Sequence, residues 1–541
     1  MRYDHGGALL VAVLKELGID TVFGIVSVHN LPLVEAVDRE LRFVPVRHEA
    51  TAVNAADAYG RARGTLGCAL TSTGTGAGNA AGSLVEALAS GTSVLHVTGQ
   101  VETEFLGSGR GFIHETKDQL GMLTAVSKYA ATVTSADEAG RILREAAAAA
   151  LAAPGGPASV EWPIDLQYAA QTDAPATVAE TPAPTADSAE LAAAAELLAS
   201  AERPLIWAGG GACTAGPELA ALVEATGAGL LTSNSGRGSV PEDHPQVIGN
   251  FATTPAGRTL LADADLLLTV GTHFRSNETS DYALELPEQH IQIDVDAAAL
   301  GRVYPATHAL HGDAADTLKA LLPHARRAEP AWTERVGQVR TDVRAALHDN
   351  IGPQAAICDA LRAALPRDAV VARDVTIASS SWGNRLLEMY DPKANVFPRG
   401  GGIGQGLGMG IGAALADPER PTVAIAGDGG LAVHLGELLT LAQERPRMTL
   451  LVFNDGGYGV LRNMQDRYAD RRSGVDLTTP DFELLAQACR LPYLRIADAE
   501  DAKAVIDEAV ASDGPVLVEV DLAALGPMKN PFTPPVKIPA A

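Results

Sequence analysis

Short apolar runs alternate with helix-like stretches along most of the chain. Residues 21–25, 42–46, 67–71 and 93–97 have the length and continuity of buried strands, and segments of helical spacing, such as 51–63, lie between them. This alternation predicts a parallel sheet flanked by helices. The pattern recurs over 189–325, with strand candidates at 204–208, 266–270 and 290–295, and again after a charged helical stretch at 333–348. In the last unit 369–372, 422–426, 449–454 and 515–520 read as strands and 374–386 as helix. The expected fold class is therefore α/β, with three successive parallel-sheet domains at 1–170, 189–330 and 349–524. Between the first two, 171–188 is a linker in which Pro175, Pro182 and Pro184 disfavour helix and central strand. A linker helix is expected at 331–348. The tail 525–541 carries Pro531, Pro534, Pro535 and Pro539 and is expected to lack regular structure and to close over a site.

Charge narrows the partners. The chain has 541 residues, 41 Lys+Arg against 66 Asp+Glu, and a net charge of −25, so its own field opposes nucleic acid and anionic membrane surfaces. With 47% hydrophobic residues it has enough apolar surface for several cores. Cys68, Cys213, Cys358 and Cys489 are far apart and lack metal-ligand spacing, which reads as reduced thiols in a cytoplasmic protein. Residues 8–14 are apolar but are followed at once by Lys15 and Glu16, the pattern of an amphipathic helix and not of a leader. Apolar stretches such as 146–153 fall far short of the ~20 residues that span a bilayer.

Two strand ends carry the sharpest chemistry. Residues 424–426 lead into Gly427-Asp428-Gly429-Gly430 and an expected helix over 431–444, and 449–453 lead into Asn454-Asp455-Gly456-Gly457-Tyr458-Gly459. Ligands of open α/β sheets sit at strand ends, where glycine N–H groups such as those of Gly429 and Gly430 can approach a phosphate. Asp428 and Asp455 lie 27 positions apart, one helical crossover, and with the carbonyl of Gly457 they supply half of the oxygen shell that Mg²⁺ prefers. The expected ligand is a diphosphate with its metal.

Gly427-Asp428-Gly429, 24 residues and then Asn454-Asp455 resemble the metal-diphosphate signature of thiamin diphosphate enzymes. The domain order resembles the pyrimidine-binding, central and diphosphate-binding domains of the acetolactate synthase, benzoylformate decarboxylase and benzaldehyde lyase group. One departure is that Asp455 stands where the signature has its metal-binding asparagine, which should tighten cation binding but repel diphosphate. The resemblance implies that Glu49, in Arg47-His48-Glu49-Ala50, gives a proton to N1′ of the aminopyrimidine. In Gly400-Gly401-Gly402-Ile403-Gly404 it implies that Ile403 is the wedge that bends the cofactor and that the Gly401 carbonyl accepts from its 4′-amino group. Thr376 matches a diphosphate contact and Thr73 a pyrimidine-domain contact. Tyr458 and Gly459 complete the cofactor set. His29, on the loop after the first strand, and His114 could relay protons to substrate.

The histidines of benzoylformate decarboxylases, near Thr71 and Asn277 here, are absent, as are the complete His-His pair and the glutamate of pyruvate decarboxylases near His114 and Leu461. An apolar Leu461 favours capture by a second carbonyl over protonation. The resemblance thus implies a thiamin diphosphate- and Mg²⁺-dependent lyase or carboligase, which forms an acyl carbanion equivalent from a 2-oxo acid and transfers it to an aldehyde or 2-oxo acid. The alternatives are a non-oxidative 2-oxo acid decarboxylase, a benzaldehyde lyase-like hydroxyketone lyase and a flavin-dependent oxidase. FAD occupies the central domain in acetolactate synthases, whereas many relatives have lost it. Here Gly209-Gly210-Gly211 follows a strand without a GxGxxG pattern, so flavin is not the expected reading. Sites of this group lie between subunits, which implies a homodimer at least and a homotetramer as the expected assembly.

Overall fold

The computed structural model describes residues 1–173 and 182–534. It contains three sheets of six strands, each parallel throughout. In spatial order the first is Arg42–Pro45, Thr21–Gly24, Gly67–Thr71, Val94–Gln100, Pro157–Pro163 and Tyr129–Thr132. The last is Asn395–Val396, Val370–Arg373, Thr422–Gly427, Met448–Asn454, Val516–Asp521 and Tyr493–Ile496. Both follow the same order, second, first, third, fourth, sixth, fifth. The central sheet runs Val247–Gly249, Gly229–Thr232, Pro204–Ala208, Leu266–Val270, His290–Asp294 and His308–His311. Each sheet reverses its winding beside its first strand, which opens a crevice at the carboxyl ends of the neighbouring strands.

The first and last domains share one apolar core. Val44, Ala52, Ala56 and Leu84 belong to the same buried cluster as Leu407, Ile411, Ala424 and Leu450. Helix Glu49–Arg63 packs on helix Gly406–Ala416, and glycine makes the close approach possible. A Cβ on Gly412 would lie 2.1 Å from the Ala55 carbonyl oxygen, and one on Gly410 would lie 2.7 Å from Met448 Cε. The glycine run of the last domain therefore divides, its helical half serving packing and only its first residues facing a site.

Three expectations need correction. The 374–386 helix is reduced to a short helical segment at 377–383 that contains the wide-turn stretch Ser379–Gly383, with residue 374 outside any helix and 375–376 forming a bend after the strand. The helix expected over 431–444 is broken, with His434 at φ −127° and ψ 40°. Within the expected linker, Gln171–Thr172 pairs antiparallel with Arg2–Tyr3, as an edge position allows, and a helix begins at Ser188. Pro175 and the rest of 174–181, and tail residues 535–541 with Pro535 and Pro539, lie outside the described residues. The described tail runs beside helix Gly459–Tyr468, where Asn463 Nδ2 donates to the Phe532 carbonyl at 2.9 Å. All four cysteines are free, and no helix among the described residues is long and apolar enough to cross a membrane.

Candidate active site

The crevice of the last sheet is a cavity of about 420 Å³, lined by Thr376, Gly401, Ile403, Asp428, Gly430, Asp455, Gly457, Tyr458 and Gly459, with Leu461 among its apolar walls. These residues come from the ends of three adjacent strands and from the glycine loop, so register alone brings them together. Asp428 opens a helical turn directly after its strand, and its Oδ2 accepts from the Gly457 N–H at 2.7 Å. Gly429 does not line the cavity. A Cβ there would lie 2.8 Å from both the Gly457 carbonyl oxygen and the Tyr458 ring, so this glycine lets the two turns meet.

The carboxylates of Asp428 and Asp455 strain against each other. Burial raises the pKa of Asp428, and burial followed by the charge of Asp428 pushes Asp455 up to about 6. Asp455 Oδ1 is buried and accepts no hydrogen bond among the described residues. Arg462 partly offsets the extra charge, with Nη1 3.5 Å from Asp455 Oδ1 and donating to the Asp455 carbonyl at 3.0 Å. No group of three or more His, Cys, Asp or Glu side chains among the described residues is arranged for a metal. A cation here would take two carboxylates, the Gly457 carbonyl and oxygens of its ligand, a hard donor set suited to Mg²⁺.

The first sheet brings Glu49, His29, His114 and Thr73 to its own crevice, and none of them lines the cavity. Glu49 is the first residue of its helix and is buried, and its Oε2 accepts from Asn79 Nδ2 at 3.0 Å. His48 caps the same helix, Nδ1 accepting from the Ala50 N–H at 3.2 Å, while its ring packs 4.9 Å from His434. The ring centroids of His29 and His114 are 5.2 Å apart. His29 is 4% exposed, and neither ring nitrogen makes a well-formed hydrogen bond among the described residues. Burial, then the neighbouring His114, lowers its pKa, with the Ile113 backbone offsetting part of this. His114 is held at φ 67°, a conformation that costs free energy and marks functional segments. The Thr73 hydroxyl is drawn into a buried network, donating to Gln119 Oε1 at 2.9 Å.

The central crevice forms a further cavity of about 630 Å³ against the first domain, lined by Gly210, Gly211, Gly271, Asp294, Arg275 and Arg399 among others. Residues 4–122 match the family described as thiamine pyrophosphate enzyme, N-terminal TPP binding domain, and 191–321 and 377–520 match its central and C-terminal TPP binding domains. A probable 2-ketoarginine decarboxylase of Pseudomonas aeruginosa is 34% identical over 523 residues, covering 95% of this chain and 93% of that protein. The chain belongs to the thiamine pyrophosphate enzymes. Acetolactate synthase isozyme 2 large subunit of Escherichia coli is 30% identical over 541 residues, covering 96% of both chains. A putative thiamine pyrophosphate-containing protein of Bacillus subtilis is 27% identical over 560 residues, covering 98% of this chain and 94% of that one.

The two crevices lie in the regions that match the N-terminal and C-terminal TPP binding domains of this family. Sequence reasoning passed over Asn79, Gln119 and Asp374, all of them buried or facing buried groups around these crevices. An asparagine four positions beyond the start of helix Thr75–Ser90 carries no local signal of its own. Only the crossing of that helix with Glu49 gives it a role.

Proposed function

We propose that the protein is a thiamin diphosphate- and Mg²⁺-dependent C–C bond lyase or carboligase that starts from a 2-oxo acid and passes the acyl unit to an aldehyde or 2-oxo acid. The observation that carries the cofactor reading is the single cavity in which Thr376, Gly401, Ile403, Asp428, Asp455 and Gly457 converge. Asp428, Asp455 and the Gly457 carbonyl would hold Mg²⁺, with Thr376, Gly430, Tyr458 and Gly459 around the diphosphate. Gly401 and Ile403 would contact the aminopyrimidine and the bend of the cofactor. When bound, thiamin diphosphate supplies a thiazolium electron sink next to the substrate carbonyl. Glu49, buried and oriented by Asn79, would give the proton needed at the aminopyrimidine ring nitrogen. His29 and His114 would relay protons to substrate oxygens, with the pKa of His29 lowered by burial and then by His114.

Glu49 and the histidines are absent from the cavity wall, which supports a site completed by a second copy, in a homodimer or a homotetramer of such pairs. Exposed apolar side chains beside each half, Val28 and Ile113 on one and Ile403 and Leu461 on the other, fit surfaces that a second copy covers. Leu461, apolar near the position where pyruvate decarboxylases keep a glutamate, favours carboligation. The 2-ketoarginine decarboxylase relative supports the runner-up, simple decarboxylation.

The deciding experiment incubates the protein with thiamin diphosphate, Mg²⁺ and a panel of 2-oxo acids, including pyruvate, benzoylformate and 2-ketoarginine, and measures carbon dioxide and every product. Hydroxyketone or acetohydroxy acid products are expected. Aldehyde alone would replace carboligation with decarboxylation, and no release from any acid would point to a hydroxyketone lyase. A yellow purified protein with flavin absorption would add FAD to the reading.

A further inference from the structure

The glycine loop 400–406 carries Gly401 and Ile403, yet its backbone is not held by regular structure. Two buried carboxylates hold it. Asp374, 2% exposed, receives the Gly404 N–H at 3.1 and 3.0 Å on its two oxygens, the Gly406 N–H at 3.3 Å and the Val375 N–H at 2.7 Å. Glu86, 4% exposed and contributed by the first domain, receives the Gly402 N–H at 3.2 Å and that of Gly400. Neither carboxylate forms a salt bridge among the described residues, and backbone donors satisfy them, with the Ser90 hydroxyl donating in addition to Glu86 Oε1 at 3.4 Å, an arrangement that fixes direction as well as charge.

Space around Asp374 is also exhausted. A Cβ on Gly406 would lie 2.7 Å from Asp374 Cβ, and one on Gly430 would lie 3.2 Å from Asp374 Oδ2. A single side chain therefore touches three pieces of the cavity wall: the turn that leads to Thr376, the loop that carries Ile403, and the turn that follows Asp428. Gly401 at φ 91° and Gly404 at φ 81° flank Ile403, so without external anchors the loop has wide conformational freedom.

We propose that Asp374 is the positioning residue for Ile403 and Gly401, with Glu86 as its counterpart at the other end of the loop, and that the pair sets the bend of the bound cofactor and not its affinity. This rests on the thiamin diphosphate reading above. The diphosphate end would be held by Asp428, Asp455 and Thr376, which have supports besides Asp374: Asp428 accepts from the Gly457 N–H at 2.7 Å, and Thr376 Oγ1 accepts from the Ser379 N–H at 3.0 Å. Activation at C2 needs the aminopyrimidine to lie against the thiazolium, and a misplacement of about 1 Å in such a geometry costs about 10²-fold.

The test compares wild type, Asp374→Asn, Glu86→Gln and Ile403→Ala, each with Mg²⁺. Affinity for inorganic diphosphate is measured by calorimetry, exchange of the C2 proton of bound thiamin diphosphate by quenched proton NMR, and folding by circular dichroism. Both carboxylate variants are expected to lower C2 exchange at least tenfold while diphosphate affinity stays within about threefold. Adding either to Ile403→Ala should lower exchange little further, because residues acting through one group are not additive. Exchange within twofold of wild type in folded Asp374→Asn and Glu86→Gln would overturn the proposal, as would a loss of diphosphate affinity matching the loss of exchange. Should Asp374→Asn not fold, Glu86→Gln decides alone. A wild type that binds diphosphate but neither binds thiamin diphosphate nor exchanges its C2 proton would overturn the cofactor reading itself.

Discussion

Gly76→Ala adds one methyl group beside the proposed acid without replacing any functional side chain. Gly76 is the second residue of helix Thr75–Ser90, and a Cβ there would lie 2.8 Å from Glu49 Oε1 and 2.6 Å from Ser72 Cβ. Comfortable carbon contacts lie at about 3.5–4.0 Å, so the carboxylate and the Ser72 turn must each give way by about 1 Å. Overpacking of this kind costs about 1–3 kcal/mol, against which alanine returns up to about 1 kcal/mol of helix propensity. Net destabilisation should therefore be about 0–2 kcal/mol, small enough to leave the protein folded. The effect on Glu49 is larger in consequence, because a shift of about 1 Å at a reacting group costs about 10²-fold, or about 2.7 kcal/mol of barrier. Exchange of the C2 proton of bound thiamin diphosphate reads it directly, alongside thermal unfolding. The double variant with Glu49→Gln should be no slower than Glu49→Gln alone. Wild-type exchange in folded Gly76→Ala would refute the assignment of Glu49.

Mixing Glu49→Gln with Asp428→Asn protein, each inactive alone, should restore about a quarter of wild-type activity if dimer sites are shared between copies and subunits exchange freely. No recovery after verified exchange would place each site within one chain. Asp455→Asn removes the like charge facing Asp428, so the cofactor-free protein should resist heat better and bind inorganic diphosphate more tightly, while Mg²⁺ affinity falls about tenfold, all readable by calorimetry. His96 is fully buried between Thr71 and Ser159, and burial lowers its pKa from 6.5 to about 4. The unfolded chain then binds a proton that the folded chain refuses. Its stabilisation is complete above pH 6.5 and is lost as pH falls toward 4, by about 2 kcal/mol between pH 7 and pH 5. Urea unfolding of His96→Leu should show that much less acid sensitivity than wild type.

The three sheets were legible because their central strands, such as Gly67–Thr71, Leu266–Val270 and Met448–Asn454, are buried along almost their whole length and read as continuous apolar runs. The first sheet has strands at Thr21–Gly24, Arg42–Pro45, Gly67–Thr71 and Val94–Gln100, where the apolar runs lie. The groups on the cavity wall were legible because glycine and aspartate at strand ends are rare enough to stand out. What stayed hidden depends on contacts distant in sequence. Asn79 meets Glu49 from another helix, Asp374 reaches residues 30 positions away, and Glu86 reaches across 314 to Gly400. The helix expected over 374–386 failed for a related reason, since Asp374 turns its carboxylate toward Gly404 and Gly406, and the helical segment begins only at 377, after a bend at 375–376.

The shared strand order of the first and last sheets bears on why the chemistry is divided. Both crevices open between the first and third strands of their sheets, and each holds what the other lacks. The last provides oxygen ligands and glycines beside a strand end, a surface for charge and phosphate. The first provides a buried acid and two imidazoles, a surface for moving protons. Concentrating both in one crevice would set Glu49 against Asp428 and Asp455, where burial and then the charge of Asp428 already raise the pKa of Asp455. Separate sheets would keep the proposed proton-handling groups apart from the proposed metal-binding carboxylates, and a ligand with an aminopyrimidine ring at one end and a diphosphate at the other could bridge them. Helix Thr75–Ser90 ties the two halves within a single chain, with Asn79 on Glu49 and Glu86 on the loop of Ile403. A change at one end of this helix should therefore be felt at both crevices, which in a shared-site dimer means at both active sites.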